Sequence, residues 1–157
     1  MFKSCFVTII LLLTSIAFCS EKETIRDAHG KVVGTATTDG NRTVYRDASG
    51  KVTGTATTNG NKTTYRDSSG RTIGTATENG NQITFRDSSG KTTGTATTNG
   101  NRTTFREATG ASAGSSTSTG NRTTYRDAHG STVGTSTSTG TASSASQTPS
   151  ILNPTSK

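Results

Sequence analysis

A block of twenty residues, NRTVYRDASGKVTGTATTNG at 41–60, recurs four more times in direct succession. The later copies are NKTTYRDSSGRTIGTATENG (61–80), NQITFRDSSGKTTGTATTNG (81–100), NRTTFREATGASAGSSTSTG (101–120) and NRTTYRDAHGSTVGTSTSTG (121–140). A leading copy, ETIRDAHGKVVGTATTDG at 23–40, brings the number to six. A fixed period of this length means one supersecondary unit stacked on itself, so the chain must build an array. Such a repeat constrains architecture far more tightly than it constrains activity.

Two turn signals alternate within each copy, about ten residues apart. The first is Asp-x-x-Gly, as in Asp47-Ala48-Ser49-Gly50. Asp favours the first position of a type I turn, and Gly supplies the positive φ of the bulge that follows. The second is Asn59-Gly60, with Asp39-Gly40, Asn79-Gly80 and Asn99-Gly100 at the equivalent places. That dipeptide is a strong short-hairpin signal. Between the turns lie runs rich in Thr, Val and Tyr, such as 42–46 and 51–58. Two strands and two turns per copy predict an all-β antiparallel meander of six hairpins over 21–140.

Period-two alternation assigns the faces. In the second copy Thr43, Tyr45 and Asp47 share one face, and Arg42, Val44 and Arg46 the other. On the return strand Val52, Gly54, Ala56 and Thr58 oppose Lys51, Thr53, Thr55 and Thr57. The expected pairing lays Tyr45 over Gly54 and Ala56, whose small side chains leave room for a ring. The same slot holds Ile25, Tyr65, Phe85, Phe105 and Tyr125, with Gly34, Gly74, Gly94, Gly114 and Gly134 as the recurrent small partner. One face is therefore a ladder of rings, and the other is Thr, Arg and Lys.

That ladder cannot stand in water uncovered. Only 26% of the chain is hydrophobic, and much of that lies in the first twenty residues. One buried ring contributes about 1.5–3 kcal/mol, against roughly 1–2 kcal/mol of backbone entropy for each residue ordered. An isolated hairpin is marginal. The sheet must curl, stack on itself, pair with another chain or lie on a surface.

The segment 1–20, MFKSCFVTIILLLTSIAFCS, has one Lys, a short apolar run and small residues near its end. It reads as a signal peptide, too short for a membrane span of about twenty apolar residues. Cleavage after Cys19 suits the small-residue positions, with Ala17 and Cys19 in place. A rival lipoprotein reading would lipidate Cys19, but bulky Phe18 occupies the place where a small residue belongs. The expected address is secreted, periplasmic or cell surface, with no transmembrane segment in the mature chain. Both cysteines, Cys5 and Cys19, lie in this leader, so no disulfide framework serves the repeats. Residues 141–157, TASSASQTPSILNPTSK, abandon the repeat and read as a disordered Ser/Thr tail.

Candidate chemistry is sparse. Asp27, Asp47, Asp67, Asp87, Glu107 and Asp127 recur once per copy, and turn initiation explains them better than acid–base catalysis in a pocket. His29 and His129, in the first and last copies, read as turn variants rather than as metal ligands. Neither a catalytic set, a cofactor site nor a metal site is predicted. Arg46, Arg66, Arg86, Arg106 and Arg126, with Arg26, form a row that is a candidate anion-binding surface. An anionic polysaccharide suits such a row. Single-stranded nucleic acid does not, because stacking needs rings on the basic face. Asn41, Asn61, Asn101 and Asn121 begin glycosylation sequons, which matter only in a eukaryotic host. The thin net charge of +7 is interleaved with Asp rather than gathered in a tract.

Tyr45-Arg-Asp-Ala-Ser-Gly-Lys-Val52 followed by Asn59-Gly-Asn-Lys-Thr-Thr-Tyr65 resembles the YD (RHS-type) repeat of bacterial surface and secreted proteins, with Arg inserted between ring and Asp. The likeness runs over 24–140. It implies an exported, non-enzymatic bacterial protein with a structural or adhesive role at the cell envelope. Two other roles fit the residues: a module that binds anionic polymers through the Arg row, and a β fibre that self-assembles through its sheet edge or ring face.

Overall fold

The computed structural model describes residues 20–139, and every strand in it is antiparallel to its neighbours. The leader up to Cys19 and the tail from 141 onwards lie outside the described residues. Each copy contributes one hairpin. The first is β1 (Glu21–Asp27) and β2 (Val32–Asp39), the second β3 (Arg42–Asp47) and β4 (Val52–Asn59), the third β5 (Lys62–Asp67) and β6 (Thr72–Asn79). The fourth is β7 (Gln82–Asp87) and β8 (Thr92–Asn99), the fifth β9 (Arg102–Glu107) and β10 (Ser112–Thr119), and the last β11 (Arg122–Arg126) and β12 (Thr132–Thr139).

The meander curls until β1 pairs with β12, giving a closed barrel of twelve strands. Of the ways to cover the ring face, closure is the one adopted, and it also removes every free edge. The seam repeats the geometry of the internal joints. Between copies one and two, Gly34 faces Asp47 and Thr37 faces Val44; across the seam, Gly134 faces Asp27 and Thr137 faces Thr24. Ser138 Oγ donates to Glu21 Oε1 and Thr139 Oγ1 donates to the Lys22 carbonyl, fastening the joint that no turn connects.

The ring face is the interior. Tyr45 pairs with Gly54 in its own hairpin and with Ala36 of the preceding one. Ala36, Ala56, Ala76, Ala96, Phe85, Phe105 and Tyr125 are buried, and Ser116 and Ser136 replace Ala in the last two copies. The apolar centre joins Ala76, Phe85, Ala96 and Phe105, with Tyr65, Ile83 and Ala113 against them. Below the rings, inward hydroxyls pair across neighbouring hairpins. Thr38 and Thr43, Thr58 and Thr63, and Thr98 and Thr103 each lie 2.9 Å apart.

Three local features differ from the sequence expectation. The Gly repeated at 34, 54, 74, 94, 114 and 134 is required by backbone rather than by the ring. A Cβ on Gly54 would lie 2.5 Å from the carbonyl oxygen of Arg66 on the next hairpin. Alternation is also interrupted once per copy: Tyr45 faces Gly54 but Arg46 faces Val52, leaving Thr53 as an extra residue in a bulge. Period two therefore cannot be carried across the bulge to place Val52 on the ring face. Finally, Asn59 pairs with Lys62, so Gly60-Asn61 rather than Asn59-Gly60 forms the two-residue corner. Gly60 takes φ 59°, and Asn tolerates the left-handed region better than most residues. Asn59 opens that turn as the last strand residue.

Candidate functional site

The two rims of the barrel carry different turns, and the Asp-x-x-Gly rim holds the candidate groups. Asp47 begins its turn as expected: Gly50 N–H donates to the Asp47 carbonyl at 3.0 Å, and Gly50 takes φ 88°. The Asp47 carboxylate accepts from the amides of Ser49 and Lys51 and from the Ser49 hydroxyl. Those bonds, the hydroxyl first, hold its pKa below the ordinary carboxylate value, and Asp87 is lowered in the same way by Ser89. At Asp67 the Arg71 backbone amide comes first, helped by an ion pair from Arg71 Nε at 3.1 Å. The carboxylates of Asp47, Asp67 and Asp87 are thus engaged by their own turns rather than turned toward a pocket.

The arginine row lines the outer edge of the same rim. Arg46 Nη1 donates to the Gly50 carbonyl at 3.0 Å. Arg26, Arg66, Arg86, Arg106 and Arg126 make the same contact with Gly30, Gly70, Gly90, Gly110 and Gly130. One nitrogen of each guanidinium clips its own turn, and the acceptor is a neutral carbonyl, so the positive charge is not cancelled there. The remaining donors of each fork are left for solvent or for an anion.

Closure changes the geometry of the histidines. In a linear array His29 and His129 stand at opposite ends, whereas the barrel places their hairpins side by side across the seam. Each donates its backbone amide to the carboxylate of its turn, Asp27 or Asp127, as a turn variant should. Among the described residues no group of three or more His, Cys, Asp and Glu is gathered to hold a metal ion.

The opposite rim is tied by asparagine. Asn61, Asn101 and Asn121 donate from Nδ2 to the carbonyls of Glu78, Ser118 and Ser138, and Asn41 reaches Asn59 Oδ1. All four sequon asparagines therefore have structural partners. Both the first and the last strand have their free ends at this rim.

Inside, one residue breaks the repeat. Glu23 faces Ala36 and Ser138, the slot that Thr43, Thr63, Ile83, Thr103 and Thr123 fill elsewhere. Its signal was present in the aligned copies, as an acid in a column of Thr and Ile. The interior is consequently two-sided, with Tyr45, Tyr125 and Glu23 on the seam side and Phe85 and Phe105 opposite. Burial drives the Tyr45 hydroxyl well above its ordinary pKa, and Tyr65, Glu23 and Tyr125 add to the effect. Burial likewise raises Tyr125 to about 12, partly offset by its bond with Ser136 Oγ.

On the outer wall, Thr24, Val44 and Thr64 alternate with Arg and Lys, and Val33, Ile73 and Val133 are its exposed aliphatic residues. Among the described residues no helix is long and apolar enough to cross a membrane. No family model, no curated protein and no solved structure matches the chain.

Proposed function

We propose that this chain is an exported, non-enzymatic scaffold with a structural or adhesive role at a bacterial cell envelope, secreted, periplasmic or surface-held. The observation that carries the reading is the use made of the recurrent polar groups. The carboxylates of Asp27, Asp47, Asp67, Asp87 and Asp127 cap their own turns and each arginine clips the same turn, so most of the chemistry-bearing residues serve the closed frame. The leader-like N-terminus and the resemblance to YD repeats supply the address. A cell-surface fractionation with mass spectrometry of the N-terminus tests it. Mature protein beginning near Ser20 or Glu21 in an exported fraction is expected; intact Met1 in the cytosol would end the envelope reading. A diacylglycerol on Cys19 would instead mark the lipoprotein form.

A second reading, binding of anionic polymers, is favoured by one observation: the arginine row is held at a rim by neutral carbonyl acceptors, which leave donors of each guanidinium facing outward. The fibre draws less support, because a closed ladder offers no unpaired strand until the seam opens.

A further inference from the structure

The charge on the Asp-x-x-Gly rim is uneven around the barrel. In copies one to four the residue after the turn glycine is a cation, Lys31, Lys51, Arg71 or Lys91; in copies five and six it is Ala111 or Ser131. Every tip also carries one clipping arginine and one carboxylate. Each of the first four tips is therefore net positive, whereas the last two are neutral. Barrel order makes the four positive tips consecutive, over β1 to β8. Hairpin tips two strands apart stand about 10 Å from one another, so the positive tips form an arc roughly 30 Å long. On the opposite rim Lys22, Arg42, Lys62, Arg102 and Arg122 are offset by Asp39 and Glu78 and by the inward Glu21 and Glu23.

We propose that this arc binds an anionic polysaccharide, laid across the tips of the first four hairpins with its acidic groups on the successive cations. The inference rests on the second reading above, and adds the location, the polarity and the class of ligand. The tip residues themselves choose among polyanions. Three of the four pairs are small and exposed, Ala48-Ser49, Ser68-Ser69 and Ser88-Ser89, so a chain of sugars lies close to the backbone there, and the first tip carries exposed Ala28-His29. The only ring on the four tips is the His29 imidazole of the first, which is not the row of stacking platforms a single strand needs; every Tyr and Phe among the described residues lies on the inward face. No large aliphatic residue stands within those four turns to enter a lipid headgroup layer, the exposed Val33 and Ile73 lying past them on the strands. Arg71, although paired with Asp67, keeps an 81% exposed side chain and so remains available.

The test compares two variants of equal charge in the full chain. One carries K31Q, K51Q, R71Q and K91Q on the arc; the other carries R42Q, K62Q, R102Q and R122Q on the opposite rim. Neither touches the clipping arginines, and circular dichroism confirms that both keep the parent fold. Binding to heparin is measured across a salt series, with a duplex DNA of similar charge as the second probe. The arc variant should lose at least about tenfold in heparin affinity and show a shallower salt dependence. The opposite-rim variant should change less than about threefold. Equal losses in both would reduce the attraction to net charge and overturn the arc. Duplex binding as tight as heparin binding would overturn the polysaccharide. A parent that binds neither probe would overturn the site, while an exported N-terminus would still stand for the scaffold reading.

Discussion

The inner and outer walls of this barrel are written in the same twenty residues, yet they answer to different physics. Inward positions alternate ring, Gly or Ala and hydroxyl, and a change of one methyl group there meets neighbouring backbone or side chain. Outward positions are mostly Thr, Arg and Lys, and the arginines of the row make exposed hydrogen bonds to their own turns. The contrast teaches where such a low-hydrophobicity chain finds its stability. Neither wall would suffice as an open sheet, but closure shares six short inward side-chain sets among one interior. The outer wall is thereby free to vary from copy to copy.

The largest effect expected from that contrast comes from removing inner rings. Replacing Phe85 by Ser should cost about 3–5 kcal/mol, with a further loss from half-buried Tyr65. Against a typical total of about 5–15 kcal/mol, the double variant should lose its β signal in far-ultraviolet circular dichroism. Amide exchange should accelerate first in copies two to four, since each hairpin leans on its neighbours. A double variant that melts like the parent would mean the rings do not hold the barrel.

Two glycines of the second copy sharpen the comparison. Gly54→Ala places a Cβ 2.5 Å from the Arg66 carbonyl and should cost about 3 kcal/mol or more as strand backbones shift. Gly50→Ala has open space around it and meets only the strain of φ 88°, about 1–2 kcal/mol. Urea melts of the two should fall in that order. The reverse order would place the turn, not the inner wall, in control.

Alkali should act on the inner wall through its tyrosines. Tyr125 is raised to about 12 and Tyr45 is raised as well, so the folded state holds these protons more tightly than the unfolded chain, where Tyr ionises near 10. Their contribution is fully present below about pH 10 and is lost as pH climbs toward 12. Tyr125→Phe should flatten that decline, read as melting temperature against pH, and phenolate absorbance of the parent should appear late. At the acid extreme the sign is opposite: the depressed pKa values of Asp47, Asp67 and Asp87 leave their turns intact until pH falls below the ordinary carboxylate range.

The smallest effect belongs to the outer wall. Replacing Arg46, Arg66 and Arg86 together by Gln removes three exposed clips, and each should change stability by no more than about 0.5 kcal/mol. If these residues also contact an anion, heparin affinity falls in the same variant while the melt scarcely moves. A collapse of the fold would mean the clips are structural in earnest.

Much of this was legible in the residues. The Asp47–Gly50 turn, the positive φ of Gly50 and the inward ring at Tyr45 follow from turn chemistry and period two, because both are local rules. Closure was not legible as such: covering the ring face was demanded, but curling, stacking and pairing satisfied that demand equally. The identity of seam and internal registers, Gly134 with Asp27 as Gly34 with Asp47, appears only in three dimensions. So does the reason for Gly54, since the oxygen it must clear belongs to the next hairpin. The corner at Gly60-Asn61 departs by one residue from the Asn-Gly rule because register on both flanks, not the dipeptide, fixes the corner. The arginine row was visible; its clip to the turn carbonyl was not, since it lies beside a bulge at Thr53 on the facing strand that period two does not reveal.

Everything above depends on β1 meeting β12. Thr24 and Thr137 are direct partners across the seam and point outward, so each accepts a spin label on an introduced cysteine, with Cys5 and Cys19 replaced by Ser. In the closed barrel their Cα atoms lie about 5 Å apart, and the dipolar coupling in dilute protein should be that of labels in near contact. In an open meander the same two strands are separated by the whole width of the sheet, about 50 Å. A single short distance is the predicted result; a broad population at the long distance would contradict the barrel.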